Sequence, residues 1–560
     1  MQRRHLLLVL LVSLVAMGGC SMSTSPTSSS WTPPQPAAQT PNPDNVTPSP
    51  DGKPSPTAFS PPADGRPVIA INAAGTTLSL DPRLFGTNLP AWLGPDRLGN
   101  KDIRARTTAL GSPLLRLPGG SWSSSYSWLA CEMGDSKGCY WTWAAKPTDF
   151  LNFVRATGTQ AMWTVSINGT SKEAAALVAF FNGAVNDTTL IGVDIRGQDW
   201  KTVGDWAKLR AKNGNPNPMP IKLWEVGNEV YGGKPDSGGS LCASWGWEDV
   251  WTCDGNEYML GKGSGADRRE GYLEFRAAMR AVDPTILIGA VGVPHPGDWS
   301  GWGNKVIEKG GEDLDFYSIH FYPYSKQPES AADVLASPET IWKDVMDSTN
   351  AAFDKLANGR RVPVAITEYN LVAFQDLDNG QIMTQATNAL FIADMIGQMA
   401  INGVTMANQW ALANGKANNG TDYGLLSADG GGRTPQYYAL KLWSQFGDTL
   451  LPVDSPLPND STLSVYAGRT KDGELSLLAI NKTNAPLDVQ LQIAGASGVL
   501  HASADIFTAK NLEATESSFN GVSNPASDLS DAPAKDLGTT VGVLDYTFTP
   551  YSITLIHLKP

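Results

Sequence analysis

The stretch "IKLWEVGNE", residues 221–229, begins as an apolar, β-rich run and ends on an acid. Two glutamates lie in it, and charged residues are rarely left among such neighbours without a partner or a task. A short, continuously apolar run is what a parallel strand covered on both faces requires. Seven further runs read the same way: Leu84–Asn88, Leu114–Leu117, Met162–Ile167, Ile286–Val291, Phe316–Phe321, Val364–Thr367 and Thr405–Trp410. Between them lie "PTDFLNFVRATG", "EAAALVAFFNG", "REGYLEFRAAMRAVDP" and "NALFIADMIGQMAING", with apolar residues at helical spacing and Gly or Pro at the ends. Alternating strand and helix predict an α/β fold, a (β/α)8 TIM barrel spanning residues 84–447. A doubly wound open sheet is the alternative, but no Gly-rich phosphate loop follows an early strand.

Past Leu450 the pattern changes. "STLSVYAGRTKDGELSLLAINKT", "PLDVQLQIAG" and "YSITLIHL" alternate with a period of two between turn residues, which predicts a C-terminal antiparallel β-sandwich over 448–560. The strand-like segment within 66–83, ahead of the barrel, is expected to join that sandwich.

The amino terminus reads as a processing segment. Arg3 and Arg4 precede an apolar run from Leu6 to Met17, then Gly18-Gly19-Cys20. The run is too short to span a bilayer comfortably, and residues 1–20 fit a secretory signal of lipoprotein type with Cys20 as the lipidated residue. Cleavage nearby as an ordinary signal is the alternative. Residues 21–65 are rich in Ser, Thr and Pro and have little to bury, so they read as a disordered linker. Extended at roughly 3.1 Å per residue, it would reach on the order of 140 Å. An exported protein on the bacterial cell surface, touching the membrane only through a lipid at Cys20, is the expectation.

A net charge of −13 with no long basic run argues against a nucleic-acid partner. Cys131, Cys139, Cys242 and Cys253 remain after Cys20. An even number in an exported chain favours two disulfides, most simply Cys131–Cys139 and Cys242–Cys253, although three pairings exist. Zinc fits these spacings poorly with no His nearby, so neither a metal nor a cofactor is expected.

In such barrels reactive groups lie just past the carboxyl ends of the strands. Two strands end in acids: the fourth at Asn228-Glu229, the seventh at Glu368-Tyr369-Asn370. Parity sends Glu225 and Glu229 to one face, but Glu229 is at the mouth and Glu225 deeper, so Glu225 reads as a buried, hydrogen-bonded structural acid. Two carboxylates across a barrel mouth, with no metal ligands or cofactor motif, suggest glycoside hydrolysis. A structural ion pair is the plainer reading of either acid alone, and it weakens when both stand at strand ends.

"RLPGG" (116–120), "LRAKNGNPNPMPIKLWEVGNEVYG" (209–232), "DFYSIHFYP" (315–323) and "ITEYN" (366–370) resemble the α-L-arabinofuranosidases of glycoside hydrolase family 51, a branch of the large clan of retaining (β/α)8 glycosidases. The resemblance covers roughly residues 70–445. It implies that Glu229 is the general acid/base and Glu368 the nucleophile of a two-Glu double displacement on a polysaccharide or oligosaccharide. It further implies that Asn228 binds the sugar 2-hydroxyl and that Arg116 sits near Glu368 and keeps it ionised. His320 and Tyr322 would hold nucleophile and sugar, and Trp410 would form part of the sugar-binding floor. Core packing is the plainer reading of His320 or Trp410 taken alone.

Two positions depart from the family. Where those enzymes carry a Glu after the first strand this chain has Asn88, and where they have Asn after "PGG" it has Ser121. Both family positions touch the sugar, so arabinofuranoside specificity is the part of the resemblance put in doubt. The loops holding the Cys pairs also carry Trp122, Trp128, Tyr140, Trp141, Trp143, Trp245, Trp247 and Trp251, which would either stack on successive sugars or pack the loops themselves. Another glycosidase of the clan, whether endo-glucanase, xylanase or other furanosidase, is the alternative function. A non-catalytic carbohydrate-binding protein is the rival of another class, and it predicts that one of the two acids is missing.

Overall fold

A computed structural model describes residues 62–139, 141–232, 242, 244–496 and 498–560. The proposed signal segment with Cys20, residues 21–61 of the linker, and Tyr140 lie outside the described residues.

Two short strands, β1 (Val68–Asn72) and β2 (Leu78–Ser79), precede the barrel. Eight parallel strands then close in chain order: β3 (Gly86–Asn88), β4 (Leu114–Leu117), β5 (Gln160–Val165), β6 (Leu223–Val226), β7 (Leu287–Val291), β8 (Phe316–Phe321), β9 (Val364–Tyr369) and β10 (Met406–Gln409). The (β/α)8 barrel is therefore present. The periodic segments between strands form helices, among them Pro147–Thr157, Ser171–Asn182, Tyr272–Val282 and Ala386–Ile401. The first barrel strand starts later than the apolar run suggests, because Pro82–Phe85 forms a 3-10 turn whose Arg83 N–H is capped by Asp81. The seventh runs two residues further than expected, through Glu368 to Tyr369.

Side chains on a strand alternate between faces, so inward residues stack in layers up the barrel axis. The lowest layer is apolar: Leu114, Met162, Leu223, Phe316, Ala365 and Met406 form one buried cluster. Two residues further along the same strands stand Arg116, Thr164, Glu225, Ser318, Thr367 and Asn408, all buried and all polar. An oily plug below and a polar layer above give the barrel one functional end.

After the barrel come β11 (Thr449–Leu451), β12 (Val453–Asp454), β13 (Leu463–Arg469), β14 (Leu475–Asn481), β15 (Leu487–Ala494), β16 (Leu500–Ala509), β17 (Ser517–Phe519), β18 (Val522–Ser523), β19 (Lys535–Thr540), β20 (Val543–Phe548) and β21 (Ser552–Lys559). They build two sheets, ordered β12-β1-β15-β20 and β18-β17-β16-β21-β14-β13-β11-β2, with β19 beside β16. Every pair is antiparallel except β1–β15. Ile69, Ile71, Leu477, Leu491, Ile493 and Ile556 lie in the core between the sheets. Buried Lys482 of the segment after β14 reaches Asp394 of the helix Ala386–Ile401 at 2.7 Å and ties the sandwich to the barrel.

Candidate active site

Arg116 anchors the polar layer. Its Nε donates to Glu225 Oε2 at 2.7 Å, Nη1 to Asn88 Oδ1 at 3.0 Å and to Glu368 Oε2 at 3.3 Å, and Nη2 to Asn228 Oδ1 at 2.8 Å. Glu225 also accepts from Thr164 at 2.9 Å and Thr367 at 2.8 Å. Burial opposes its charge, but Arg116, His320 and the hydroxyls of Ser318 and Thr367 outweigh that and hold it below the ordinary glutamate range. Glu225 is thus a buried structural acid whose acceptor sites are filled from inside the protein.

Glu229 sits above it. Gly227 and Glu229 both take positive φ, 89° and 42°, which turns the chain sharply off β6. For a non-glycine residue that conformation costs on the order of 1–3 kcal/mol, a cost characteristic of sites where a side chain is deliberately aimed. Glu229 Oε1 lies 3.1 Å from His320 Nδ1 and accepts from the Tyr231 hydroxyl at 3.4 Å. Glu368 enters the same space from β9. Tyr322 donates to its Oε1 at 2.6 Å, and His320 Nδ1 lies 3.8 Å from its Oε2. One imidazole nitrogen therefore faces both carboxyls, and the sum of its two distances, about 7 Å, caps the separation of those oxygens. So close an approach of the two nearest oxygens is compatible with the roughly 5–5.5 Å carboxyl separation of retaining enzymes.

Burial pushes Glu368 above the ordinary glutamate value, partly offset by His320, with the Glu229 charge adding to the rise and Arg116 opposing it. Arg116 is beside Glu368 and favours its charge, while its closest carboxylate is Glu225 and the rise comes from burial and Glu229. Burial works against the His320 imidazolium, yet Glu368 and Glu229 beside it prevail and raise it. Burial and Glu368 also hold the Tyr322 phenol well above its usual value, so it serves as a donor.

The rim is aromatic. Trp410 is buried, and Trp92 meets it edge-on at 5.6 Å. Gly120, at φ 69°, lies under this indole, where any Cβ would collide with it, which accounts for the second glycine of "RLPGG". Trp92 also packs on Trp122, Trp122 stacks on Trp141 at 3.8 Å, and Trp143 closes the row with 56% of its surface exposed. The other loop tryptophans divide. Trp128 and Trp251 are buried, Trp245 packs on Tyr231 and Trp299, and Trp247 is 83% exposed. Both expected disulfides are present, Cys131–Cys139 and Cys242–Cys253, with Cα separations of 4.7 and 5.3 Å.

Asn88 is turned inward: its amide nitrogen donates to the carbonyls of Thr367 and Asn408, both at 3.1 Å, while Oδ1 takes Arg116. Ser121 opens the 3-10 turn Ser121–Ser125 and is partly exposed. The strand pattern misses Glu248. Its Oε2 accepts from Asn228 Nδ2 at 2.9 Å, and its carboxyl faces Glu229 and Glu368. An acid within the loop "GWEDV" carries no periodic or spacing signal that would have marked it. Among the described residues no group of three or more His, Cys, Asp or Glu is placed to hold a metal ion.

The site therefore offers two facing carboxyls, a shared imidazole, a phenol donor and an aromatic rim, an arrangement suited to a hydroxyl-rich ring. The chain resembles the family 51 α-L-arabinofuranosidases. It is 26% identical over 320 residues to an intracellular exo-alpha-(1->5)-L-arabinofuranosidase of Bifidobacterium longum, a match covering 51% of this chain and 49% of that one. The chain thus spans about half the length of that relative. With the corresponding enzyme 1 of Bacillus subtilis it shares 20% identity over 496 residues, 82% of this chain and 89% of the other. The family 51 α-L-arabinofuranosidase structure from Thermotoga petrophila superposes with a TM-score of 0.66 at 20% identity, covering 88% of this chain and 99% of that one. At that identity the superposition speaks for the fold alone. No family model matches the chain.

Proposed function

We propose that the protein is a retaining glycoside hydrolase, and within that class an α-L-arabinofuranosidase. The observation that carries this reading is that Glu229 and Glu368 both face one nitrogen, His320 Nδ1, at 3.1 and 3.8 Å. In the first step a Glu368 oxygen attacks the anomeric carbon, the glycosidic bond breaks, and Glu229 gives its proton to the departing oxygen. In the second, Glu229 takes a proton from water, the water oxygen attacks the anomeric carbon, and the Glu368 ester bond breaks. Tyr322 and Arg116 donate to Glu368, which stabilises the carboxylate as nucleophile and as leaving group. Asn228, held by Arg116, would bind the sugar 2-hydroxyl, and Trp410 would form part of the floor of the subsite.

Similarity to the arabinofuranosidases of Bifidobacterium longum and Bacillus subtilis supports the sugar assignment. The inward-turned Asn88 and the tryptophan row ending at exposed Trp143 favour a second reading, an endo-glycosidase of the same clan acting on a longer chain. A panel of aryl α-L-arabinofuranosides, β-xylosides, β-cellobiosides and oligosaccharides separates the two. Turnover of the arabinofuranoside supports the first reading, and turnover confined to pyranosides or to polymers replaces it with the second. Export and lipid attachment at Cys20 complete the proposal. Labelling of the expressed protein by a tagged fatty acid, lost in Cys20→Ser, is the expected result.

A further inference from the structure

Glu248 belongs to the loop closed by Cys242–Cys253, yet its carboxyl points back into the barrel mouth. The orientation of its neighbour fixes what it does there. Arg116 can only donate, so the atom of Asn228 that faces it at 2.8 Å must be the carbonyl oxygen. The amide nitrogen of Asn228 therefore points at Glu248, whose Oε2 accepts at 2.9 Å. The Glu248 carboxyl also has Glu229 as a hydrogen-bonding neighbour, within an acidic neighbourhood already holding Glu368. Two carboxylates in hydrogen-bond contact cannot both stay charged, and a shared proton resolves the conflict.

We propose that Glu248 is a positioning residue of the site: held by the amide of Asn228, its carboxyl hydrogen-bonds Glu229, so that a loop side chain aims the acid/base. This rests on the glycosidase reading above. Burial drives Glu248 well above the ordinary glutamate value, and the charges of Glu229 and Glu368 drive it in the same direction, with Asn228 opposing. The titratable groups facing it are Glu229, Glu368 and the Tyr231 phenol. The ordered row Arg116, Asn228, Glu248, Glu229 links the structural acid layer to the reacting one. Because the loop is covalently closed, the site receives from it a third carboxyl where the first barrel strand supplies only Asn88.

Glu248→Ala and Glu248→Gln, each confirmed folded by thermal melting, test this in the full exported chain with an aryl glycoside that the parent hydrolyses. The alanine variant is expected to lose roughly tenfold or more in kcat with little change in KM, a part of the 10²–10⁴-fold that general acid–base catalysis contributes. The glutamine variant is expected to recover most of that loss, since an amide accepts from Asn228 and donates to Glu229 as the neutral acid does. Infrared spectra at neutral pH should show a protonated-carboxyl carbonyl band in the parent that Glu248→Gln removes. A glutamine variant as slow as the alanine one, an alanine variant as fast as the parent, or no difference in the carbonyl band overturns the proposal. The band is read without substrate, so a parent that hydrolyses no glycoside fails the glycosidase reading separately.

Discussion

Thr367 and Glu368 are consecutive on β9, yet both side chains enter the barrel. Thr367 donates to Glu225 in the polar layer, and Glu368 accepts from Tyr322 one level higher. Strict alternation forbids this, and a bulge permits it. Between Ile319 and His320 the partner strand β8 advances by one residue while β9 advances from Ile366 to Glu368. The extra residue lets one strand bond the structural acid Glu225 and still present Glu368 to the mouth.

That division predicts different consequences for the two glutamates. Glu225→Ala removes the closest carboxylate from a fully buried Arg116, and breaking a buried pair this way costs about 3–5 kcal/mol. Denaturant unfolding of Glu225→Ala should show a loss of that size. Glu368→Ala leaves Arg116 its Glu225 partner and should unfold near the parent while losing turnover. Equal destabilisation by both variants would dissolve the distinction between layers.

A raised Glu368 sets the acid side of the pH profile. The nucleophile must be ionised, so rate falls as pH falls through its pKa, and the acid limb of kcat/KM should lie above the ordinary glutamate value of about 4.3. The Glu229 charge contributes to that rise. In Glu229→Gln, followed with an activated aryl glycoside, the acid limb should therefore move to lower pH. A limb that stays in place would show that the two carboxyls do not sense each other.

Glu229→Ala should slow substrates with poor leaving groups far more than activated aryl glycosides, whose departure needs little protonation. Azide should restore turnover of the activated substrate by replacing the base-assisted water. If both substrate types slow equally and azide has no effect, the acid/base lies elsewhere.

Exposed Trp143 ends the tryptophan row that begins at buried Trp410. Trp143→Ala should raise KM for an oligosaccharide while leaving a single-sugar aryl substrate unchanged, since stacking area is lost only beyond the first subsite. Equal KM values for the oligosaccharide in parent and variant would confine the site to one sugar.

The barrel was legible because its strands are buried on both faces and so read as bare apolar runs, and because Glu229 and Glu368 stand at strand ends in short motifs. Both disulfides followed from an even count and short spacings. Other features depended on tertiary geometry that no local pattern encodes. The bulge at Thr367 is invisible to parity, which would send Glu368 outward from a strand that points Ala365 and Thr367 inward. Glu248 arrives from a loop with no periodicity. Trp128 and Trp251 look like the other loop tryptophans in sequence, yet they are buried, with Trp128 packed on Phe180 and Trp206. Arg116 was expected beside Glu368 and is there, but its bond to Glu225 is the shorter.

In the proposed mechanism Glu368 carries the sugar between the two steps. Incubation with a 2-deoxy-2-fluoro glycoside bearing a good leaving group, followed by rapid acid quenching and peptide mass spectrometry, reads this directly. A single adduct of one fluorosugar is expected on the peptide containing Glu368, absent from Glu368→Ala. An adduct on Glu229 or Glu225, or turnover with inverted anomeric configuration and no adduct, would contradict it.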